Sequence, residues 1–533
     1  MSRNSEGLLI VAEEVARGAL YLFSGSVLAT VLSALCGIAI ARLLGPDLYG
    51  AYSLAFTVAS FLMIFTGFGV NSALTKHISS HYKSGERGSL AEMIRSGVLF
   101  VVLESLLIYL LGYAFIRDLA AWLVNRPELA DSAATLLPIV VFQALITVSV
   151  GVSLGSGDTR RIALVNITQQ AFRLLLAPLL VVLGMGLRGA LLGNTLAYIF
   201  SAALATVFLY EYYSSLSRES RSSGSRVLLK MIAYGVPLYI SSVVFSLVDV
   251  YRNVLLSRIA SDYVIGSFNA AYRFLTIITI AIAPISTALF PAFSKLSDSE
   301  DLRKMFVISA KYTSLIIAPI TVFVATMSRE IVAVLFGREY LVLTPRFFTL
   351  AALNYLYVVV GYMVLGSFFS GVGKTRVNLE STLVYSVVFI LLAPAISQYL
   401  GVDGLLYAII VASGASTAYA LYVAHREYKI KLDYYYSLSI LGASLLSAIP
   451  ARALLVLLSS TGGVLLNLVK LLASGLLFLL LYATLLPVLR VVNKNDIKFV
   501  ASTFSNIKLV APVVRLVVKY EEKLLSKLVQ YTV

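Results

Sequence analysis

The chain has 533 residues, of which 59% are apolar and only 13% charged, with a mean hydropathy of +0.90; ordinary soluble domains carry about 25% charged residues. That balance excludes a soluble globular enzyme and predicts an all-α polytopic membrane protein. The 42 Lys and Arg against 27 Asp and Glu leave a net charge of +15, and the lone cysteine, Cys36, excludes both a disulfide framework and a cysteine metal site.

Taken in order, the N-terminal residues MSRNSEGLLIVAEEVARGALYLF lack a small-residue cleavage site and read as a short amphipathic lead into the first span. With about 20 apolar residues needed per crossing, six candidate spans follow, near 18–41, 48–70, 93–115, 133–156, 162–184 and 188–210. A polar segment, Tyr212 to Lys230, closes this group. Six more lie near 231–256, 265–290, 306–327, 346–370, 377–400 and 404–424, and two further spans near 437–458 and 464–489 make fourteen. From Arg490 onward, Lys and Arg alternate with Val and Leu at helical spacing, as in a helix lying on an anionic leaflet.

The two groups of six are related. Arg42 and Gly50 return as Arg258 and Gly266, and Gly155 and Gly157 as Gly371 and Gly373, each 216 residues on. A shared offset at distant landmarks indicates an internal duplication. The expected organisation is an N-terminal six-helix lobe (1–225), a second lobe (226–430), two additional helices (431–490) and a basic amphipathic cytoplasmic tail (491–533). Of the 42 basic residues, 29 fall on the side of the N-terminus, nine on the opposite side and four inside spans. By the positive-inside rule both termini are cytoplasmic. Six spans per copy is an even number, so the copies are parallel repeats about an axis along the membrane normal, a plan suited to alternating access. This charge distribution points to a membrane and not to nucleic acid.

Ionisable residues inside spans are functional candidates by default. They are Glu104 in span 3, Arg173 in span 5, Asp249 and Arg252 in span 7, and Arg273 in span 8. Subtracting 216 puts Ser33, Cys36 and Thr57 opposite Asp249, Arg252 and Arg273, so the repeated unit does not need these charges. Asp249 and Arg252 are three apart on one helix face, which allows either a self-satisfied ion pair or, with Arg273, a cationic lining. Arg173 could pair with Glu104, both near mid-span. Arginine suits an anion site because its planar fork stays charged and binds phosphate oxygens bidentately. Lys470, six residues into the last span, can snorkel.

Other signals fail inspection. Gly371 to Thr375, GVGKT, lacks the glycine a phosphate loop needs at Phe368 and reads as a tight cytoplasmic turn. His77 and His81 sit in the basic stretch KHISSHYKSGER, read as a solvated loop without a metal. No nucleophile and base pairing, nucleotide loop or catalytic carboxylate pair stands out, so neither an enzyme nor a cofactor is expected. Prolines within spans, among them Pro237 and Pro284 on the helices of Arg252 and Arg273, are possible bending points.

The run ARLLGPDLYGAYSLAFTVASFLMIFTGFGVNSAL (Ala41 to Leu74), its basic loop and the GSGDTR turn resemble the polysaccharide transporter family, the O-antigen flippase type of the multidrug/oligosaccharidyl-lipid/polysaccharide superfamily. The resemblance implies a V-shaped two-lobe exporter in the cell membrane that carries an undecaprenyl- or dolichyl-linked oligosaccharide from the cytoplasmic to the outer leaflet. It also implies a cavity arginine at the position of Arg273, and two C-terminal spans that help form a groove for the lipid tail. On this reading Arg273, Arg252 and Arg173 hold the headgroup, and Asp249 or Glu104 could carry a coupling proton or sodium ion. A drug or cation antiporter of the same superfamily is the alternative.

Overall fold

The computed structural model describes residues 3–81, 87–216, 224–458, 463–492, 496 and 520. Among them all regular structure is helical: α1 (Arg3–Met63), α2 (Val70–His81), α3 (Arg87–Ala114), α4 (Ile116–Val124), α5 (Ala130–Leu136), α6 (Ile139–Gly155), α7 (Thr159–Leu180), α8 (Gly186–Ser214), α9 (Gly224–Ile259), α10 (Asp262–Ser294), α11 (Ser299–Thr326), α12 (Ser328–Leu335), α13 (Thr344–Leu353), α14 (Tyr362–Gly371), α15 (Thr375–Tyr428), α16 (Tyr434–Leu457) and α17 (Val464–Val488). Most of the expected basic tail, the centre of the polar linker (217–223) and the side chains of Pro237 and Pro284 lie outside the described residues.

Three of the apolar stretches, Tyr21–Met63, Thr159–Ser214 and Thr375–Tyr428, run for 43, 56 and 54 residues. At about 1.5 Å per residue each is far longer than a hydrocarbon core of about 30 Å. Each is broken at a glycine with positive φ: Gly45 (72°), Gly184 (90°) and Gly401 (57°). They therefore count as two crossings each. They join α3, the Pro127–Gly155 segment, α11, the α13–α14 pair bent by 52°, α16 and α17 as stretches apolar enough to cross a membrane, and with the long helices α9 and α10 the described residues are consistent with the fourteen spans expected.

The chain forms two compact units, 1–277 and 278–533. In the first, Val70, Leu74 and Ile78 of α2 pack with Ile94 and Val101 of α3, Val148 of α6 and Met231 of α9 in one buried cluster. In the second, Phe293, Phe306, Phe368 and Phe369 gather the end of α10, α11 and α14 around the end of α15, with ring centroids 5.1–5.4 Å apart. The two helices beyond the repeats are packed there as well. Tyr482 donates to the Leu315 carbonyl (3.0 Å) and Ser474 to that of Ala451 (2.7 Å). Lys470 lies on the same i, i+4 stripe as Ser474 and Phe478 and is buried, so it does not reach for solvent as expected.

The 216-residue offset recurs in the contacts. Gly157 and Gly373 occupy matching turns with φ of 79° and 77°, a conformation in which any side chain would be strained. Glu211 and Glu427, also 216 apart, each tie their hairpin through an ion pair, to Arg161 (3.2 Å) and Lys374 (2.9 Å). Near the start of α10, a Cβ on Gly50 would lie 2.0 Å from the Asp262 carbonyl oxygen, and one on Gly266 1.8 Å from that of Pro46. The two equivalent glycines thus let their backbones touch.

The second span differs from expectation. It is broken between Met63 and Val70, where Gly67, Phe68 and Gly69 all have positive φ (85°, 38° and 76°). The chain then continues as helix α2, so His77 lies on a helix and not in a loop, with its ring 6.2 Å from that of Tyr234. The run after the break stays regular because its apolar face is taken up by α3, α6 and α9.

Candidate functional site

A polar cluster is buried inside unit 1, where α1, α7, α8 and the first half of α10 converge. Arg173 of α7 is 7% exposed. Its Nη2 donates to the Tyr52 hydroxyl at 3.1 Å, and its guanidinium carbon lies 5.6 Å from the centre of the Phe56 ring. The same hydroxyl accepts from Asn194 Nδ2 at 2.8 Å, while Asn194 also donates to the Ala190 carbonyl at 2.7 Å. Arg173 Nε has no hydrogen-bond partner among the described residues. A phenol inside a membrane needs a partner for its hydroxyl, and here the partners come from two other helices.

Arg273 joins this cluster from α10. Its side chain runs across Gly37 of α1, where a Cβ would come within 2.8 Å of Arg273 Cγ and 3.1 Å of Nε. Only a missing side chain leaves that passage open. Among the described residues no carboxylate lies within ion-pair distance of either arginine. Arg173 is buried and Arg273 half-buried, and with no protein anion beside them both favour an incoming negative charge.

The other candidates are placed differently. Arg252 forms an ion pair with Asp249 (3.1 Å) and lies over the Tyr272 ring at 4.8 Å, with Asp249 itself exposed. That is the self-satisfied pair, one residue along α10 from Arg273 through the Tyr272 ring. The pairing that Arg173 could make with Glu104 is not formed. Glu104 Oε2 instead accepts from Gly67 N at 3.0 Å, supplying the acceptor that the broken second span leaves wanting, and its Oε1 is buried without a partner. From the other side Tyr239 donates to the Ile64 carbonyl at 2.8 Å. Similar depth on two helices does not make them neighbours. Among the described residues no cluster of His, Cys, Asp or Glu could hold a metal, and GVGKT forms the turn between α14 and α15, with Gly373 at φ 77°. Sequence reading missed Tyr52, Asn194 and Gly37. Their signals were a tyrosine and an amide inside apolar spans, and a glycine beside the only cysteine.

The family model described as "Polysaccharide biosynthesis protein" matches residues 15–297, more than half of the chain. The chain belongs to the polysaccharide biosynthesis protein family. The family resemblance carried by Ala41 to Leu74 thus holds. One curated relative, the succinoglycan biosynthesis transport protein ExoT of Rhizobium meliloti, is 24% identical over 317 residues, covering 56% of this chain and 58% of that protein. The match spans less than two thirds of that relative's length. Among solved structures, the lipid II flippase MurJ in an inward closed conformation superposes with a TM-score of 0.71 at 17% identity, over 88% of this chain and 99% of that one. An inward-facing multidrug resistance MATE family transporter of the MOP superfamily gives 0.63 at 17% identity, over 75% and 94%. This member of the polysaccharide biosynthesis protein family therefore shares the helical fold of those transporters.

Proposed function

We propose that the chain is a flippase that moves a polyprenyl-(pyro)phosphate-linked oligosaccharide from the cytoplasmic to the outer leaflet of the cell membrane, supplying the synthesis of surface polysaccharide or glycoprotein glycan. The observation that carries this reading is the pair of arginines in unit 1, Arg173 bonded to Tyr52 and Arg273 lying against Gly37, with no carboxylate within ion-pair distance of either among the described residues. Such a pair suits a phosphate or pyrophosphate, whose oxygens each guanidinium can take two at a time. Arg252, already partly neutralised by Asp249, sits beside it as a weaker contributor. Membership of a polysaccharide biosynthesis family, and the fold shared with a lipid II flippase, support the same cargo class.

In this reading both termini are cytoplasmic, the two six-helix lobes (1–225 and 226–430) rock about the cargo, and Glu104 or Asp249 is the residue through which a proton or sodium ion would couple. The alternative, an antiporter for cationic drugs, requires an anionic cavity. Here Asp249 is matched by Arg252 and Glu104 is bonded to the backbone, so the net character of the site is positive.

The test is transport by the purified full chain in proteoliposomes loaded with a fluorescent polyprenyl-pyrophosphate sugar. Arg273→Ala is expected to lose transport while inserting and folding normally, and Arg273→Lys to restore it only in part, because an ammonium lacks the fork. Full transport by a well-folded Arg273→Ala protein would overturn the assignment.

A further inference from the structure

We propose that unit 1 holds a second, uncharged site, a subsite for a neutral sugar residue. It is a cavity of about 530 Å³ beside the break in the second span, walled by Gly67 to Ser72, by α6 and by α9. Its polar lining comes from Asn71, Ser72, Gln143, Thr147, Ser242 and Ser246, with the Tyr239 phenol closing one side, and among the described residues lining it none is charged. The volume is that of a small-molecule site.

Six hydroxyl or amide side chains on three helices line this one space. The cavity also keeps bonding capacity in hand. Gln143 Nε2 donates to Thr147 and Thr147 back to the Gln143 carbonyl, which orients the amide and leaves Gln143 Oε1 available. Asn71 contributes its backbone carbonyl to Thr75, while its side-chain amide and the Ser72 hydroxyl make no hydrogen bond among the described residues. An acyl chain would leave all of these groups dry and unsatisfied, at a cost that burial of methylene does not offset. An anion would find no cation among them. What fits is a ligand that is uncharged and presents many donors and acceptors at once, which is the chemistry of a pyranose ring, with the Tyr239 and Phe68 rings (5.2 Å apart) offering an apolar face beside it.

The cavity is formed by a device already described. Glu104 and Tyr239 satisfy the backbone at the break, and Gly69 and Gly235 touch backbone to backbone, a Cβ on either falling within 2.4 Å of the other's carbonyl oxygen. The break therefore costs little, and it leaves Thr66, Asn71 and Ser72 facing the space that a continuous helix would fill. The site deepens the flippase reading, on which it rests only for the sugar's attachment to a lipid: the arginines take the charged linkage and this cavity takes part of the glycan.

The only native thiol is Cys36, which is buried, so a reporter cysteine can be read alone. In a Cys36→Ala background, S246C in the full chain is labelled with a methanethiosulfonate reagent in the presence of free glucose, galactose, N-acetylglucosamine or their disaccharides. At least one neutral sugar is expected to slow labelling saturably, about threefold at about twice its Kd. Asn71→Ala with Gln143→Ala should remove that protection. Glucuronate and inorganic pyrophosphate should give none, and neither should any sugar at L99C, on the apolar outer face of α3. No protection by any neutral sugar, equal protection by pyrophosphate, or protection that survives the double substitution would overturn the proposal. Protection without transport by the wild-type protein would retain the subsite and reject the flippase reading; transport without protection would do the reverse.

Discussion

Tyr52→Phe removes a single oxygen from the cluster that holds Arg173, and its cost can be worked from the contacts. The hydroxyl accepts two hydrogen bonds, from Arg173 Nη2 (3.1 Å) and Asn194 Nδ2 (2.8 Å). Asn194 keeps the Ala190 carbonyl at 2.7 Å, so its loss is small. Arg173 keeps the face of Phe56 and loses its hydroxyl partner. Charge-assisted bonds are worth about 1.5–3 kcal/mol in soluble proteins, but double-mutant cycles inside membranes average about 0.6 and reach about 1.7 kcal/mol. A destabilisation of about 1–2 kcal/mol is therefore expected, with most of it as coupling to Arg173. The assay is the unfolding midpoint in mixed dodecylmaltoside and dodecylsulfate micelles for Tyr52→Phe, Arg173→Met, Asn194→Leu and the pairwise combinations. Coupling near zero between Tyr52 and Arg173, with both single variants destabilised, would show that the hydroxyl does not hold the guanidinium, and the reasoning for a preformed anion site would fail.

Further outcomes follow from other contacts. Gly37→Leu should push Arg273 out of its passage across α1 and lower proteoliposome transport to the level of Arg273→Ala, whereas Gly37→Ala, which needs only a small shift of Arg273 Cγ, should retain part of it. Lys311 and Asp496 form an ion pair at 2.8 Å with both side chains 10% exposed, and Tyr312 also donates to that carboxylate at 2.8 Å, so Lys311→Met should cost toward the lower end of the about 3–5 kcal/mol of a broken buried pair, and adding Asp496→Asn should recover much of that in the same micelle titration. Gly157→Ala and Gly373→Ala should each cost about 1–2 kcal/mol for forcing a side chain into the left-handed region, and by similar amounts, since their turns match to within a few degrees.

The apolar crossings were legible because long runs mark them, and the landmarks at one offset return in turns of matching φ. The pairing of Glu211 and Glu427 with a nearby cation follows that offset too, although the cation sits at Arg161 in one copy and at Lys374 in the other, not at matching positions. What the sequence concealed was lateral. Depth along a helix can be counted, but which helix faces which cannot, so the sequence allows Arg173 to pair with Glu104 whereas its partner is Tyr52. The break in the second span was masked by an unbroken apolar run, although Gly67-Phe68-Gly69 carried the signal for it. The cavity beside that break draws single polar residues from three helices, none conspicuous in its own stretch.

Gly50 and Gly266 occupy the same place in the two copies, and their backbones meet. A Cβ on Gly266 would also lie 2.9 Å from the Gly50 nitrogen, so one seam inside unit 1 depends on both positions at once. A methyl group added on either side would wedge the same seam, and one added on both would do so twice over. Neither glycine can be altered without prising open the backbone of the other's helix, which gives a reason for each to stay bare.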